Sequence, residues 1–310
     1  MIQSTNASTG RSPSPIYLDV NNGELKPNHK IYTRHPKLIA FGWYGGKFSH
    51  LSWLLPLLPK SHHYCEPFGG SAAVLLNREP SQVETYNDID GEVVNFFRVL
   101  REQKDELIQA IALTPFSREE YYLALSNDAQ SLSDLERARR FFIRARQSRT
   151  GLAQTASIGR WANCKNTSRA GMAGAISRWF GSVDALPAIA LRLLRVQIEN
   201  RPAIEVIKLY DSPNTLFYCD PPYMHSTRGD DKAYGYEMDE IGHRQLAEVL
   251  LGCGGYVALS GYRCDIIDEL YQDWRRYDAQ PKTCHSVKQV RQEALWMNYQ
   301  TDEAGNAHRL

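Results

Sequence analysis

The run FYCDPPYMHST (217–227) ends an apolar stretch in a carboxylate, two prolines and a tyrosine. Proline removes a backbone donor and fixes φ, so a strand must stop at Asp220. A turn of this composition suits the handling of an amino group on a planar base. The Asp220 carboxylate and the Pro221 carbonyl are acceptors for its two N–H bonds. Tyr223 offers a flat face for stacking, while Pro221 and Pro222 limit misalignment at the reacting atom. The plainer reading is a strand-ending turn with Asp220 as a helix cap.

Three further clusters suggest a ligand near that turn. In YCEPFGGSAAV (64–74), Glu66, Pro67 and Phe68 precede Gly69, Gly70 and a helical pattern. Open parallel sheets bind ligands beyond the carboxyl ends of their strands, and glycines there let a ligand approach the backbone. The pattern is not G-x-G-x-x-G and no Gly-Lys-Ser/Thr follows, which argues against a phosphate-cradling loop. In YNDID (86–90), Asp88 stands where an acid commonly binds ribose hydroxyls, or caps the next helix. In FGWYGGKFSH (41–50), Trp43, Tyr44, Gly45, Gly46 and Lys47 combine aromatics, a flexible turn and a cation that could meet a carboxylate. A hairpin turn with a solvated lysine is the alternative.

Between Arg137 and Arg178 lie ten Lys/Arg and no Asp/Glu, while the remaining chain carries 26 basic and 35 acidic residues. Such a local excess is an electrostatic footprint for a polyanion. The candidate nucleic-acid contacts are Arg140, Arg144, Arg146, Arg149, Arg160, Lys165 and Arg169. A basic solvated helix face is the competing reading.

These residues need elements to carry them. Strands are expected at 62–67, 83–88, 195–198, 215–219, 255–260, 275–279 and 294–299. Helices are expected at 69–79, 91–103, 203–210, 239–251 and 265–273. From about 114 to 194 the pattern turns to helices and loops, with capping boxes at SREE (117–120) and SDLE (133–136). The simplest organisation is an α/β domain interrupted by a largely helical insertion. Residues 1–37, rich in Ser, Asn, Pro and Thr, read as a flexible lead-in, or as a short docking strand around Ile16–Val20.

With 310 residues and 43% apolar content, the chain can bury a large core. Charges nearly balance, at +1. Six cysteines form no C-x-x-C pair and nine histidines show no metal-like spacing, so no metal is expected. Reduced thiols suit a cytoplasmic protein. No apolar run approaches membrane-spanning length, and no signal peptide is seen.

Taken together, GWYGGK (42–47), EPFGGSAAV (66–74), NDID (87–90), YCDPPY (218–223) and RQEALWMNY (291–299) resemble the Dam-like DNA adenine methyltransferases. The resemblance covers about residues 38–300, in the family's order. It implies a Rossmann-like methyltransferase sheet over 38–113 and 195–300, an inserted, mainly helical DNA-recognition domain over 114–194, and a tail from 301. It implies methyl transfer from S-adenosylmethionine to the N6 amine of an adenine flipped out of double-stranded DNA. Trp43 through Lys47, Glu66 through Gly70, Asp88 and Asp220 match the family's cofactor-binding positions. Asp220, Pro221, Pro222 and Tyr223 match its catalytic turn. The family's first motif usually reads Lys-Trp-Ala-Gly-Gly-Lys; Gly42 and Tyr44 stand at its first and third positions here. Relatives acting on cytosine usually carry Ser at the Asp220 position, and those acting on RNA or protein glutamine usually carry Asn. An enzyme for RNA adenine or another amine, or an inactive DNA-binding regulator, are the rival readings.

Overall fold

The computed structural model describes residues 37–126, 131–224, 237–283, 290–302 and 306–310. Seven short strands form its central sheet: β1 (His63–Glu66), β2 (Val83–Asn87), β3 (Val196–Glu199), β4 (Thr215–Cys219), β5 (Tyr256–Tyr262), β6 (Arg275–Asp278) and β7 (Glu293–Met297). Their order is β3-β2-β1-β4-β5-β7-β6. The first five run parallel, and β7 is antiparallel to both β5 and β6. The chain winds outward from β1 to β3 and then returns to place β4 beside β1. The order therefore reverses between β1 and β4, where open α/β sheets open a ligand crevice.

Residues alternate between two apolar clusters, as the two-residue period of a strand requires. Tyr64, Leu216, Tyr218, Ala258 and Leu295 face one. Cys65, Phe217, Cys219, Val257 and Leu259 face the other. Both faces of β4 are covered, which is why its sequence reads as an unbroken buried run.

Beyond a single α-helical turn at Leu51–Leu54, the α-helices among the described residues are α1 (Ala73–Asn77), α2 (Gly91–Glu102), α3 (Lys104–Ala112), α4 (Arg118–Leu123), α5 (Asp134–Gln147), α6 (Gly174–Leu193), α7 (Ala203–Tyr210), α8 (Glu240–Gly252) and α9 (Asp265–Leu270). Ser117 and Ser133 accept hydrogen bonds from the N–H groups of Glu120 and Glu136, opening α4 and α5 as capping boxes do. Helix α1 is shorter than its pattern. Gly70 and Ala72 take φ of 48° and 54°, left-handed values that delay the first helical turn.

The segment 114–194 has no core of its own among the described residues. Tyr121, Phe141, Phe142, Trp179, Leu186 and Leu193 join the same cluster as Tyr64, Tyr86 and Phe96 of the sheet and α2. Phe142 of α5 stacks on Phe96 of α2, with ring centroids 5.6 Å apart. Arg192 of α6 donates to both carboxylate oxygens of Glu84 on β2, at 2.5 and 2.7 Å, and to the carbonyl of Leu75 at 2.8 Å. Residues Leu38–Leu310 thus form one compact unit. Between α5 and α6, Ser168–Arg169 pairs with Met172–Ala173 in a hairpin. Its two central residues, Ala170 and Gly171, both have positive φ, as a type I′ turn requires. The expected lead-in, apart from Lys37, and the alternative strand around Ile16–Val20 lie outside the described residues. No described helix is long and apolar enough to cross a membrane.

Candidate active site

Three strand ends converge on one cavity. β1 ends at Glu66, β2 leads into Asp88 and β4 leads into Asp220; all three residues line a cavity of about 340 Å³. Trp43, Tyr44, Gly46, Lys47, Pro67, Phe68, Gly69 and Gly70 line it as well. Of the sequence-derived candidates, Gly45, Pro221 and Tyr223 stand outside that wall.

Gly45 nonetheless shapes it. Its φ of 72° and the 2.9 Å hydrogen bond from Gly46 N–H to the Trp43 carbonyl close a tight turn. That turn delivers Lys47 to the cavity floor, where it is 2% exposed. Lys47 Nζ donates to the Gly45 carbonyl at 2.7 Å and to both oxygens of Asp220 at 2.8 Å. Glu293 Oε1 lies 3.9 Å from the same ammonium. Burial alone would depress the Lys47 pKa, but the charges of Asp220 and Glu293 lift it above its usual value. Lys47 is therefore a fixed cation and no proton acceptor, and the solvated-lysine reading does not hold.

Asp220 is held from several sides. Its Oδ1 meets Lys47, Ser260 Oγ at 2.9 Å and the Tyr223 hydroxyl at 3.1 Å, whereas among the described residues Oδ2 meets Lys47 alone. Tyr218 and Ser260 hydroxyls are 2.9 Å apart, extending the chain of hydrogen bonds beneath Oδ1. A carboxylate oxygen has about two lone-pair sites. Oδ2 therefore keeps one acceptor position. The carbonyl of Pro222 lies 3.0 Å from His243 Nε2.

Tyr223 is turned inward. Its ring is 4% exposed and meets Tyr262 edge to face at 4.7 Å, and its hydroxyl donates to Glu293 Oε2 at 2.7 Å. A base could stack on this ring only after it is uncovered.

The glycine turn packs against the protein's own rings. A Cβ on Gly69 would meet the Tyr86 ring at 2.2 Å, and one on Gly70 would meet Trp43 Nε1 at 2.5 Å. Asp88 accepts from Gly70 N–H at 2.7 Å on one oxygen and from Asp90 N–H at 2.9 Å on the other. Burial raises its pKa to about 6 against the pull of those backbone donors. Burial likewise raises Glu66 to about 8, although the Tyr64 hydroxyl donates to it at 2.6 Å.

The cavity also takes residues outside the motifs: Gln154, Pro202, Ala203, Ile204, Glu237 and Met238. Pro202 through Ile204 begin α7, beyond β3, so only the fold brings them near Asp88. Glu293, near the start of RQEALWMNY, is a buried member of the Asp220 network.

The basic block divides. Arg140 is 7% exposed and bonds Glu136, the Leu123 carbonyl and Ser126. Arg144 reaches the Ala124 carbonyl at 2.9 Å and Glu92 at 3.4 Å. Arg146 donates to the carbonyls of Ala40 and Ile39, and burial lowers its pKa to about 10. These three brace α5 against the body, contrary to their expected place at a DNA surface. Arg149, Arg160, Lys165 and Arg169 are exposed. Among the described residues, no cluster of His, Cys, Asp or Glu could hold a metal ion.

A doubly wound sheet with three acids around a crevice at its switch point is of the α/β class that takes ligands at that place. The particular family follows from the chain as a whole. It belongs to the D12 class N6 adenine-specific DNA methyltransferases, whose family profile matches residues 43–292. The type II methyltransferase M1.LlaDCHI of Lactococcus lactis subsp. cremoris is 27% identical over 270 residues, 79% of this chain and 88% of its own length. The DNA N-6-adenine-methyltransferase of Escherichia phage P1 is 26% identical over 250 residues, 75% of this chain but 31% of the phage protein. The DNA adenine methylase of Salmonella typhi is 24% identical over 245 residues, 74% of this chain and 82% of its own. The chain is thus an adenine-specific DNA methyltransferase, a reaction that draws on an S-adenosylmethionine-type methyl donor.

Proposed function

We propose that this chain methylates the N6 amine of an adenine flipped out of double-stranded DNA, at a defined sequence, and that the cavity between β1, β2 and β4 holds S-adenosylmethionine. The cavity's residues suit that cofactor. Asp88 keeps lone pairs for ribose hydroxyls beyond its two backbone bonds. Phe68, Ile89, Pro202 and Ile204 offer apolar walls for a purine, and Asp220 offers a carboxylate to a cationic end beside the neutral carboxyl group of Glu66. When bound, this group supplies a methyl already activated on a sulfonium.

The protein's own part is positioning. An exocyclic amine attacks poorly while its lone pair is delocalised into the ring. Asp220 Oδ2, with its remaining acceptor position, takes one N–H of the amine; the Pro221 carbonyl at the same turn takes the other. Held from that side, the nitrogen turns its lone pair toward the methyl, and the carboxylate stabilises the positive charge that grows on nitrogen during transfer. Lys47 fixes Asp220 in place through both oxygens. A base inside the duplex stack is out of reach, so adenine must leave it. Tyr223 is the stacking face beside the carboxylate once its ring is uncovered.

Arg149, Arg160, Lys165 and Arg169, on the loop and hairpin between α5 and α6, are the cations for DNA phosphates or base edges. The observation that carries this reading is the convergence of Asp220, Asp88 and Glu66 on one cavity. Its test is Asp220→Ala assayed on unmethylated genomic DNA, with N6-methyladenine counted after digestion to nucleosides. Turnover should fall by roughly a hundredfold or more, as when a transition-state contact is removed. A folded variant with wild-type turnover would overturn the assignment.

A further inference from the structure

Gln154 belongs to the loop between α5 and the hairpin, far from the sheet in sequence, yet it lines the cavity between β1, β2 and β4. Its amide oxygen is buried and accepts no hydrogen bond among the described residues. We propose that Gln154 is a cofactor-contacting residue supplied by this loop, and that its amide oxygen takes an N–H or O–H hydrogen of the bound S-adenosylmethionine.

The loop holds Gln154 at the cavity from three sides. At its base, Ser148 and Trp161 form a bridge, Arg149 N–H donates to the Arg160 carbonyl at 2.6 Å, and Ala162 N–H donates to the Gln147 carbonyl at 2.8 Å. From α4, the Tyr121 hydroxyl donates to the Ser157 carbonyl at 3.0 Å and accepts from Ser157 N–H at 3.1 Å. On the third side the loop lies against Gly42. A Cβ there would meet the Gly151 carbonyl oxygen at 2.7 Å, so the missing side chain at 42 is what allows the close approach. Position 42 immediately precedes Trp43, which packs on Gly70 of the glycine turn, and Gly70 N–H bonds Asp88. The loop is thus seated on the residues that border the cofactor cavity.

A buried acceptor without a donor destabilises the chain that carries it, and such groups are few in folded proteins. A ligand that brings a donor removes the cost on binding. S-adenosylmethionine has such hydrogens on its ammonium, its ribose hydroxyls and its purine amine. With no hydrogen bond holding the oxygen, the Gln154 side chain is able to turn it into the cavity that the residue already lines.

This inference rests on the reading of the cavity as the cofactor site, and the experiment separates the two. The probe is S-adenosylhomocysteine, which has the same donors and no methyl to transfer. Its binding is measured by calorimetry without DNA for wild type, Gln154→Met, Gln154→Glu and Asp88→Ala, and the thermal unfolding of each empty chain is recorded. Gln154→Met nearly keeps the side chain's length and removes the amide. It should weaken binding roughly fivefold to tenfold, as the loss of one hydrogen bond does. The empty Gln154→Met chain should melt no lower than wild type, because an unsatisfied oxygen is gone. Unchanged affinity, or an empty chain that melts lower, marks a glutamine that only props the fold and overturns the inference. Gln154→Glu keeps an accepting oxygen in either protonation state and should bind nearer to wild type than to Gln154→Met. A loss as large as that of Gln154→Met would equally overturn the inference. Asp88→Ala is the control for the cavity: binding weakened there but not in Gln154→Met removes the role of Gln154 alone. Wild-type affinity in both variants would overturn the cavity reading and this inference with it.

Discussion

Arg137, Arg139, Arg140, Arg144 and Arg146 lie along α5, and every one of them reaches a partner in the body of the protein. Arg137 pairs with Glu92, Arg139 with Glu120 and Glu136, and Arg140 with Glu136. Arg144 also meets Glu92, and Arg146 meets two carbonyls. Arg149, Arg160, Lys165, Arg169 and Arg178 follow in the next stretch of chain and are exposed. In sequence the ten form one block without a counter-charge. In space they do two jobs. The counter-charges of the first four come from α2, α4 and the first turn of α5, all outside the block, and Arg146 has two carbonyls in their place. Clustered charge thus identifies a polyanion surface only after the inward-turned members are removed from the count.

The largest effect should come from reversing an inward charge. Arg146→Glu would bury a carboxylate against the carbonyls of Ala40 and Ile39, and should destabilise the fold by about 3 kcal/mol or more. Urea unfolding measures it. A variant as stable as wild type would place Arg146 on the surface.

Reversing outward charges should do the opposite. Arg149→Glu, Arg160→Glu and Arg169→Glu together should leave unfolding unchanged, yet weaken DNA binding by about a hundredfold at low salt. The plot of log affinity against log salt should also flatten, since each lost phosphate contact removes roughly 0.9 from its slope. Equal slopes would reduce this half of the block to a solvated surface.

An inward acid gives a smaller, graded effect. Glu66 holds its proton up to about pH 8 in the folded chain, against an ordinary value near 4.5. Between those values the unfolded chain has released a proton that the folded chain keeps. Stability without cofactor should therefore be greater toward pH 5 and decline as pH rises toward 8, by at most about 1.4 kcal/mol per pH unit from this group. Thermal unfolding across that range should show the decline in wild type and a shallower one in Glu66→Gln. Identical profiles would mean that Glu66 is ionised throughout.

The smallest effect belongs to an outward pair. Lys60 and Glu79 are 3.4 Å apart, with side chains 82% and 75% exposed. Lys60→Ala should give no resolvable shift in melting temperature. A clear shift would show that exposure alone does not separate the two kinds of charge.

The strand at 215–219 was legible because its apolar run is uninterrupted and two prolines close it, and α7 because its period is regular. Helix α1 was overextended because backbone values at Gly70 and Ala72 leave no trace in hydropathy. Asp220, Asp88 and Glu66 could be picked out because each follows a readable strand. The cavity's remaining wall could not, since Gln154 and Pro202–Ile204 arrive from elements far along the chain and carry no local signal. Glu293 shows the same limit, for nothing in RQEALWMNY says that its acid faces a tyrosine 70 residues earlier. Nor does sequence show that α4–α6 complete the sheet's core, because an amphipathic helix does not declare what it packs on.

The two neighbouring glycines of the first turn face different evolutionary fates. Space at Gly69 is taken by the ring of Tyr86, with the Asn87 carbonyl 3.0 Å from a Cβ there, so a smaller residue at 86 makes room at 69 for little more than a methyl group. These two positions should drift as a pair across related chains. Gly70 has no such trade, because shrinking Trp43 would clear the space but leave φ at 48°. Position 70 should stay fixed while 69 and 86 exchange bulk between them.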